Sequence, residues 1–339
     1  MATSGRARDR AAETRDGVEL TSLDGPLFDG AVLAVPGGGE RPATKRDLVD
    51  YLDAVAPALV AAVAGRALSV VRVRPGQEPF MQKNLPRYAP DWIRRTTVWA
   101  EASHREIAYP LCDDRRTLLW LANQRAVEYH PALIRAGERH ATYLVLDLDP
   151  PEGDDFEHVV RAALLVRRAL DDAGLVGAVK TSGSKGVHVV VPITAVPVED
   201  SAAATRALAV RAAALDPEIA TTAFIRADRG GKVFLDSTRA IGATVVAAYS
   251  PRIRPGLTVS FPVPWDDLPD VRPADFTVAT APGLLAGTDP WTAALPPPQE
   301  LPPDLVAHGH TIPVARVAAM HEGKRRKRAR EAPPPPPPA

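Results

Sequence analysis

The strongest constraint on the fold is a strand, helix, strand order in the middle of the chain. Residues 143–149 form an apolar run that predicts a buried strand. A helix should follow, because Asp154 or Asp155 can cap its start and Gly174 stands where a C-terminal capping glycine belongs. Residues 187–193 are rich in β-branched side chains and predict the second strand. The helix carries an apolar stripe at 3.6-residue spacing, made of Phe156, Val159, Val160, Ala163, Leu164 and Leu170.

Two carboxylates stand at the end of the first strand. Asp147 and Asp149 are two residues apart, so both side chains should project from the same face of the strand. Carboxylates held close together repel, and Mg²⁺ or Mn²⁺ would relieve that repulsion and organise phosphate oxygens. The alternative interpretation is a strand that ends in a solvated acidic loop.

A glycine-rich segment precedes the second strand. Residues 180–188 combine two glycines with hydroxyls, a lysine and a histidine, including Ser182, Lys185 and His188. Glycines let the backbone approach an anion closely, and the other side chains supply charge and donors. The segment resembles a phosphate cradle, although the Walker A order of residues is absent. Ordinary turn chemistry would also account for its composition.

A third carboxylate follows a short predicted strand. Residues 232–236 end in Asp236, with Arg229 and Lys232 as basic neighbours. Three strand-end aspartates with basic residues nearby are typical of metal-dependent phosphoryl transfer, in which metals activate the attacking oxygen and stabilise the leaving one.

The order of these motifs resembles the archaeo-eukaryotic primase superfamily, and specifically the polymerase domain of bacterial ligase D. The similarity extends over about residues 28 to 290 and includes segments 80–83, 128–131 and 248–252. The resemblance implies an α/β fold of the archaeo-eukaryotic primase type, with a mixed, largely antiparallel sheet flanked by helices.

The resemblance also implies roles for individual residues. The catalytic residues, which would hold two Mn²⁺ or Mg²⁺ ions, are Asp147, Asp149 and Asp236. The residues expected around the triphosphate of an incoming NTP or dNTP are His130, Ser182, Lys185, His188, Arg229 and Arg252. Those expected to contact DNA are Lys45, Phe80, Met81 and Lys83. The nucleotide set suits its ligand, because cationic side chains are the natural partners of phosphates.

The chain departs from the family pattern at three places. Met81 replaces the second of two adjacent phenylalanines that stack on a template base, and Val32 stands near a lysine that helps bind a recessed 5′ phosphate. Lys45, the expected partner of that lysine, is retained, whereas residues 237–240 replace a Gln-Asn stretch. These changes predict weaker DNA-end recognition with the metal ligands intact.

The resemblance implies primer 3′-end extension with NTP or dNTP during bacterial non-homologous end joining. Because no ligase or nuclease domain is seen, we expect action on DNA ends or gapped duplex together with a Ku-like protein and a separate ATP-dependent ligase. One alternative is a DNA-end bridging protein of the same fold whose polymerase activity has weakened. Another is a two-metal phosphodiesterase, which would not need a triphosphate cradle.

Composition agrees with a protein of the cytoplasm, and the resemblance to a DNA-repair polymerase implies association with the nucleoid. The 339 residues are 45% hydrophobic, and a single cysteine, Cys112, excludes an intramolecular disulfide. No apolar run reaches the length of a membrane span, and the N-terminus lacks a signal-peptide core.

The sequence suggests three regions. Residues 1–27 form a poorly ordered N-terminal segment, residues 28–300 a catalytic domain of two merged lobes, and residues 301–339 a basic, proline-rich tail. Without residues 324–339 the chain has 35 basic and 40 acidic side chains, a net charge of −5. The tail could therefore add phosphate contacts, dock to a partner as a polyproline helix, or stay solvated.

The remaining secondary structure follows from periodicity and capping. A helix over residues 44–64 should begin at Thr44 and be kinked or divided by Pro57. Further predicted helices cover 114–128 and 201–215, and predicted strands cover 66–74, 143–149, 187–193 and 232–236. From about residue 262 regular structure should be sparse.

Overall fold

A computed structural model describes residues 13–35, 37–100, 104–153, 156–240 and 244–314. The strands are β1 (Glu13–Arg15), β2 (Val18–Leu20), β3 (Val32–Ala34), β4 (Glu40–Pro42), β5 (Arg66–Arg74), β6 (Gln77–Gln82), β7 (Arg95–Ala100), β8 (Arg105–Pro110), β9 (Ala126–Arg135), β10 (His140–Asp149), β11 (Ala178–Thr181), β12 (Val187–Pro197), β13 (Ala220–Thr221), β14 (Val233–Asp236) and β15 (Pro262–Val263). The helices are α1 (Lys45–Ala54), α2 (Ala56–Val63), α3 (Arg115–Asn123), α4 (Phe156–Asp172), α5 (Val198–Leu215), α6 (Ala281–Leu285), α7 (Pro290–Ala294) and α8 (Pro303–Thr311).

The described residues form one main sheet of nine strands and three small hairpins. Seven strands follow the order β15-β11-β12-β10-β9-β5-β6, and β14 pairs with both β10 and β13. All pairs in this sheet are antiparallel except β13 with β14. The predicted mixed, largely antiparallel sheet flanked by helices is therefore confirmed.

Strand β10 lies at the centre of the sheet, with α4 and α5 packed against it. The predicted apolar stripe of α4 is buried except for Leu164, which is 39% exposed. At about 100° per residue, Leu164 lies about 80° around the helix from Phe156, at the edge of the buried face. Gly174 has the predicted left-handed conformation at the helix end, with φ +67°. Asp154 and Asp155, the predicted caps, lie outside the described residues.

Capping and left-handed residues decide where the other helices end. Thr44 and Asp47 form a capping box at the start of α1, and Pro57 stands in the first turn of α2, so the proline divides the predicted helix. The predicted helix 114–128 ends at Asn123 instead, because Arg125 turns the chain with φ +59° and β9 follows. No helix in the described ranges combines the length and apolarity needed to cross a membrane.

Regular structure continues on both sides of residues 28–300. Residues 13–27 are part of the fold, because the β1–β2 hairpin turns Val18 and Leu20 into the core and Leu27 is fully buried. Because this segment is mostly polar, its short alternation of buried and exposed residues was not recognised from the sequence. After residue 300, α8 packs against α5, with Leu305 buried. The basic run 324–330 and the polyproline end lie outside the described residues.

Candidate active site

Four titratable side chains form a row across four neighbouring strands. The strand register pairs Lys180 on β11 with His188 on β12, His188 with Asp147 on β10, and Asp147 with Asp236 on β14. Residues directly opposite each other in antiparallel strands project from the same face. All four are buried, with exposures of 2% for Lys180, 4% for His188, 8% for Asp147 and 5% for Asp236. We call these four residues the charged row.

Lys180 fixes the orientation of His188. Its Nζ lies 2.7 Å from His188 Nδ1, 2.7 Å from Ser260 Oγ and 2.9 Å from the Val246 carbonyl oxygen. Three acceptors match the three donors of an ammonium, although burial lowers the pKa of Lys180 well below its usual value. With Nδ1 accepting from Lys180, the Nε2–H of His188 faces Asp147 Oδ1 at 3.3 Å.

The imidazole of His188 is held in its neutral form. Burial, reinforced by the neighbouring Lys180 charge, lowers the pKa of His188 to about 4. Burial alone would raise the pKa of Asp147, but His188, Arg239 and Lys180 outweigh it and lower that pKa to about 2. Asp147 is therefore an ionised, oriented carboxylate.

Asp149 completes a set of three carboxylates. It lies two residues beyond Asp147 on β10, opposite Phe234 of β14. Burial and the neighbouring Asp147 charge raise the pKa of Asp149 to about 6. Carboxylate oxygens are the ligands that Mg²⁺ and Mn²⁺ prefer, so the donor set fits a divalent cation.

An arginine lies between two of these carboxylates. Arg239 belongs to a 3₁₀ turn, Thr238–Ala240, directly after β14. Its Nη2 lies 3.0 Å from Asp147 Oδ2, and its Nε lies 3.2 Å from Asp236 Oδ2. Among the described residues, no three His, Cys, Asp or Glu side chains converge as a ready metal site. From the sequence, Arg239 was noted only within residues 237–240, which depart from the family pattern, and its contacts were not predicted. Its three-residue offset from Asp236 could have suggested the contact with that carboxylate.

A cavity of about 620 Å³ opens beside the charged row. The residues on its wall include Asp147, Asp149 and all six predicted nucleotide-binding residues: His130, Ser182, Lys185, His188, Arg229 and Arg252. Arg226, Arg239 and Arg254, which the sequence did not mark as nucleotide ligands, also line it. The cavity therefore joins a carboxylate end to a strongly basic wall, an arrangement suited to a metal-bound polyphosphate.

The glycine-rich loop is packed tightly against its surroundings. Ser182 Oγ accepts hydrogen bonds from the backbone N–H groups of Ser184 and Gly186, each at 3.2 Å. A Cβ on Gly186 would lie 2.0 Å from the carbonyl oxygen of Leu148 in β10. Gly183 has φ +67° and leaves no room for a side chain beside Arg252. Both glycines are thus required by close packing and backbone conformation.

Glu128 organises the basic wall, and sequence reasoning assigned it no role. Its carboxylate oxygens lie 2.9 Å from His130 Nε2, 3.1 Å from Arg252 Nε and 3.0 Å from the backbone nitrogen of Ile253. Burial would raise the pKa of Glu128, but the bond to His130 and the Arg252 charge lower it to about 2. Glu128 and His130 are two residues apart on β9, so their shared face was readable from the sequence.

Arg229 reaches the same wall from the segment before β14. Its guanidinium lies 3.9 Å from the ring centroid of Phe234, and its Nε donates to the Ala223 carbonyl oxygen at 3.3 Å. These contacts leave the cation at the edge of the cavity, where it can meet an anion.

The four predicted DNA-contact residues lie elsewhere. Lys45 is only 3% exposed, and its Nζ donates to the Thr21 carbonyl oxygen and to Asn123 Oδ1, both at 2.6 Å. Burial lowers the pKa of Lys45 to about 8. Phe80 is half-buried beside Arg72 and Arg74, while Met81 is 47% exposed and Lys83 is exposed. The structure thus separates Lys45, which points inward, from a surface on which Met81 and Lys83 are exposed and Phe80 is half-buried.

Comparisons with known proteins identify the family of the chain. The family model described as "LigD, primase-polymerase domain" matches residues 44–291. The bifunctional non-homologous end joining protein LigD of Bacillus subtilis is 34% identical over 269 residues, which cover 78% of this chain and 41% of that protein. The multifunctional non-homologous end joining DNA repair protein LigD of Mycobacterium tuberculosis is 36% identical over 276 residues, which cover 77% of this chain and 34% of that protein.

The fold is also similar to a solved structure. The polymerase domain of Mycobacterium tuberculosis ligase D, determined in complex with DNA, aligns with a TM-score of 0.74 and 31% sequence identity. The alignment covers 82% of this chain and 97% of that domain. The chain thus matches nearly all of one domain but less than half the length of the curated relatives.

Proposed function

The chain belongs to the LigD primase-polymerase family, and from that premise we propose that it is a metal-dependent nucleotidyltransferase that extends primer 3′ ends with NTP or dNTP. The observation that carries the proposal is the cavity that joins Asp147 and Asp149 to the basic wall, with Asp236 directly opposite Asp147 on β14. Such a cavity suits a triphosphate whose α-phosphate lies near a bound divalent cation.

Each part of the cavity has a task in this reaction. Asp147, Asp149 and Asp236 would hold Mn²⁺ or Mg²⁺, which when bound would activate the primer hydroxyl and stabilise the departing pyrophosphate. His188 keeps Asp147 ionised and oriented toward the site. Because His188 is neutral, it can orient Asp147 without adding a positive charge beside the oxygens that would bind the metal.

The basic wall would bind the triphosphate. Arg252 and His130, both positioned by Glu128, offer donors on one side of the cavity, and Arg229 offers a guanidinium on another. Lys185 is exposed at the loop and would add charge at the entrance. Binding the triphosphate at several points restricts its position, which favours in-line attack on the α-phosphate.

The biological setting follows from the family. We propose DNA ends or gapped duplex as the polynucleotide substrate in bacterial non-homologous end joining, with Phe80, Met81 and Lys83 facing the DNA. A Ku-like end binder and a separate ATP-dependent ligase would be partners, and the cytoplasm around the nucleoid would be the location.

Primer extension on a gapped duplex with Mn²⁺ tests the proposal. Asp147→Ala should lower the extension rate about 10³-fold, because a catalytic metal contributes several kcal/mol of charge stabilisation. Asp266→Ala, which removes a side chain that is 90% exposed, is the matched control and should extend at the wild-type rate. Full activity in Asp147→Ala would exclude the metal-ligand assignment.

A second candidate is a DNA-end bridging protein of the same fold. The contact of Arg239 with Asp147 and Asp236 favours it, because a cation already occupies the space between two expected metal ligands. Binding of labelled NTP in the presence of Mn²⁺ separates the two functions. A protein that binds DNA ends but no NTP would be a bridging protein.

A further inference from the structure

We propose that Arg239 is an internal counter-cation that holds Asp147 and Asp236 while no divalent cation is bound, and that it leaves them when one binds. The inference rests on the proposed metal site but concerns a different property, namely how tightly the chain binds the cation.

Some of the carboxylate oxygens of Asp147 and Asp236 already have partners within the protein. Asp147 Oδ1 faces His188 Nε2 at 3.3 Å. Asp236 Oδ1 accepts from the backbone nitrogen and hydroxyl of Thr238, at 2.8 and 2.6 Å. Of the four carboxylate oxygens of Asp147 and Asp236, the two that these contacts leave are the Oδ2 atoms, and Arg239 contacts both of them. The guanidinium and a divalent cation would therefore compete for the same two atoms.

The contact of Arg239 with Asp236 can be exchanged. Its Nε is buried yet makes no hydrogen bond of acceptable geometry to the described residues, so charge attraction holds this atom beside Asp236. The side chain remains 37% exposed and borders the 620 Å³ cavity, which gives the guanidinium space to move into. Charge attraction without directed hydrogen bonds is weaker than a bidentate arginine–carboxylate pair.

The charge of the site gives Arg239 a stabilising role. Asp147 and Asp236 lie directly opposite each other on β10 and β14 and are both buried, so their repulsion would destabilise the fold without a neutralising partner. A guanidinium carries a positive charge, so Arg239 can supply that neutralisation while no divalent cation is bound. The same charge repels an arriving Mn²⁺. Arg239 thus stabilises the metal-free protein and weakens its affinity for the metal.

A titration with Mn²⁺ alone tests this competition, with the concentration of free Mn²⁺ measured by electron paramagnetic resonance. Arg239→Gln should bind Mn²⁺ about tenfold more tightly than wild type, in the range by which neighbours of metal ligands alter affinity. The matched control is Arg226→Gln, because Arg226 lines the same cavity but pairs with Glu152 at 3.0 Å, and its side chain is 73% exposed. Its loss should change Mn²⁺ affinity less than about twofold, as expected for an exposed and screened charge.

Thermal unfolding supplies a second measurement. Metal-free Arg239→Gln should unfold at a lower temperature than wild type, and Mn²⁺ should raise its unfolding temperature more than that of wild type. If Arg239→Gln does not fold without metal, Arg239→Lys replaces it, because a single ammonium cannot reach both Oδ2 atoms equally and should bind Mn²⁺ more tightly than wild type.

The outcomes separate this inference from the proposed function. Unchanged or weaker Mn²⁺ binding in Arg239→Gln overturns the inference, as does an equal gain in Arg226→Gln. Absence of Mn²⁺ binding in every variant overturns both the inference and the metal site. Tighter binding in Arg239→Gln without any primer extension by wild type supports the inference and contradicts the polymerase function.

Discussion

The charged row and the exposed surface of Phe80, Met81 and Lys83 differ in what holds their side chains. Each residue of the charged row contacts neighbouring side chains or backbone within the protein, and each is at most 8% exposed. On the exposed surface, Met81 is 47% exposed, and the ring of Phe80 lies against the guanidinium groups of Arg72 and Arg74.

This difference in burial indicates at which positions a substitution would leave the candidate active site intact. A replacement in the charged row leaves buried partners unsatisfied, which costs about 1–3 kcal/mol for each polar group. A replacement on the exposed surface leaves the rest of the fold unchanged, and only binding to a partner is affected. The departure at Met81 lies in this second region.

The largest loss of stability is expected from a substitution where the glycine-rich loop meets the charged row. Gly186→Ala would place a Cβ within 2.0 Å of the Leu148 carbonyl oxygen, one residue from Asp147. Because backbone rather than a flexible side chain must move, the free energy of unfolding should fall by about 3 kcal/mol or more. Chemical denaturation measures this change.

Gly283→Ala is the matched control for that experiment. Gly283 lies in α6, and a Cβ added there would meet no heavy atom within 4 Å beyond its chain neighbours and its own helix backbone. The variant should be unchanged or more stable by up to about 1 kcal/mol, because alanine favours the helix. Equal stability of the two variants would contradict the tight packing of the loop on β10.

An intermediate effect is expected from Lys180→Met. The substitution removes the donor to His188 Nδ1, so the imidazole can adopt the other tautomer and stop donating to Asp147. Primer extension should fall about 10- to 100-fold, the usual range for partners that orient metal ligands. The ¹⁵N chemical shifts of the His188 ring should change with it, which a purely structural role would not require.

Lys232→Met is the control for this variant, since Lys232 lies beside β14 and is 3.9 Å from Glu218 rather than within the charged row. It should retain the wild-type ¹⁵N shifts of His188. Wild-type shifts in Lys180→Met as well would show that Lys180 does not set the tautomer.

The smallest effect is expected on the exposed surface. Met81→Phe should tighten binding to a duplex with a single-stranded overhang by about three- to tenfold, because an aromatic ring stacks on a base at about 1–3 kcal/mol and methionine already supplies part of the contact. Fluorescence anisotropy of a labelled duplex measures it. Protein stability should stay at the wild-type value.

Val176→Phe adds the same ring at a different exposed position, 58% exposed between α4 and β11. It should leave DNA affinity unchanged. A similar gain in both variants would mean that the effect is non-specific, and the assignment of this surface to DNA would be wrong.

Much of the fold was readable from the sequence because local patterns carry it. The strand 66–74 was predicted with the observed bounds, and β10, β12 and β14 contain the other predicted strands almost completely. Errors arose where one residue overrides a periodic pattern, as Arg125 does by ending α3, or where a polar segment hides a short hairpin, as in residues 13–27.

The residues of the candidate site were likewise predicted only in part from the sequence. The three aspartates and the six predicted nucleotide ligands were identified from motifs and resemblance, and the structure brings them together. Glu128, Lys180 and Arg239 were not assigned roles. Each has a partner on another element, namely Arg252 for Glu128, His188 for Lys180 and Asp147 for Arg239, and only the near contacts of Glu128 with His130 and of Arg239 with Asp236 were readable from spacing. The inward position of Lys45 was missed for the same reason.

The sequence by itself determined which residues lie on strands, which face they share and which chemistry they offer, because these follow from local periodicity and side-chain type. Only the tertiary structure decided that β10 lies between β12 and β14, and so that Lys180, His188, Asp147 and Asp236 form one row. It also decided that Arg239 lies between two carboxylates. Such contacts depend on strand order and register, which are set by the packing of the whole core rather than by any local segment.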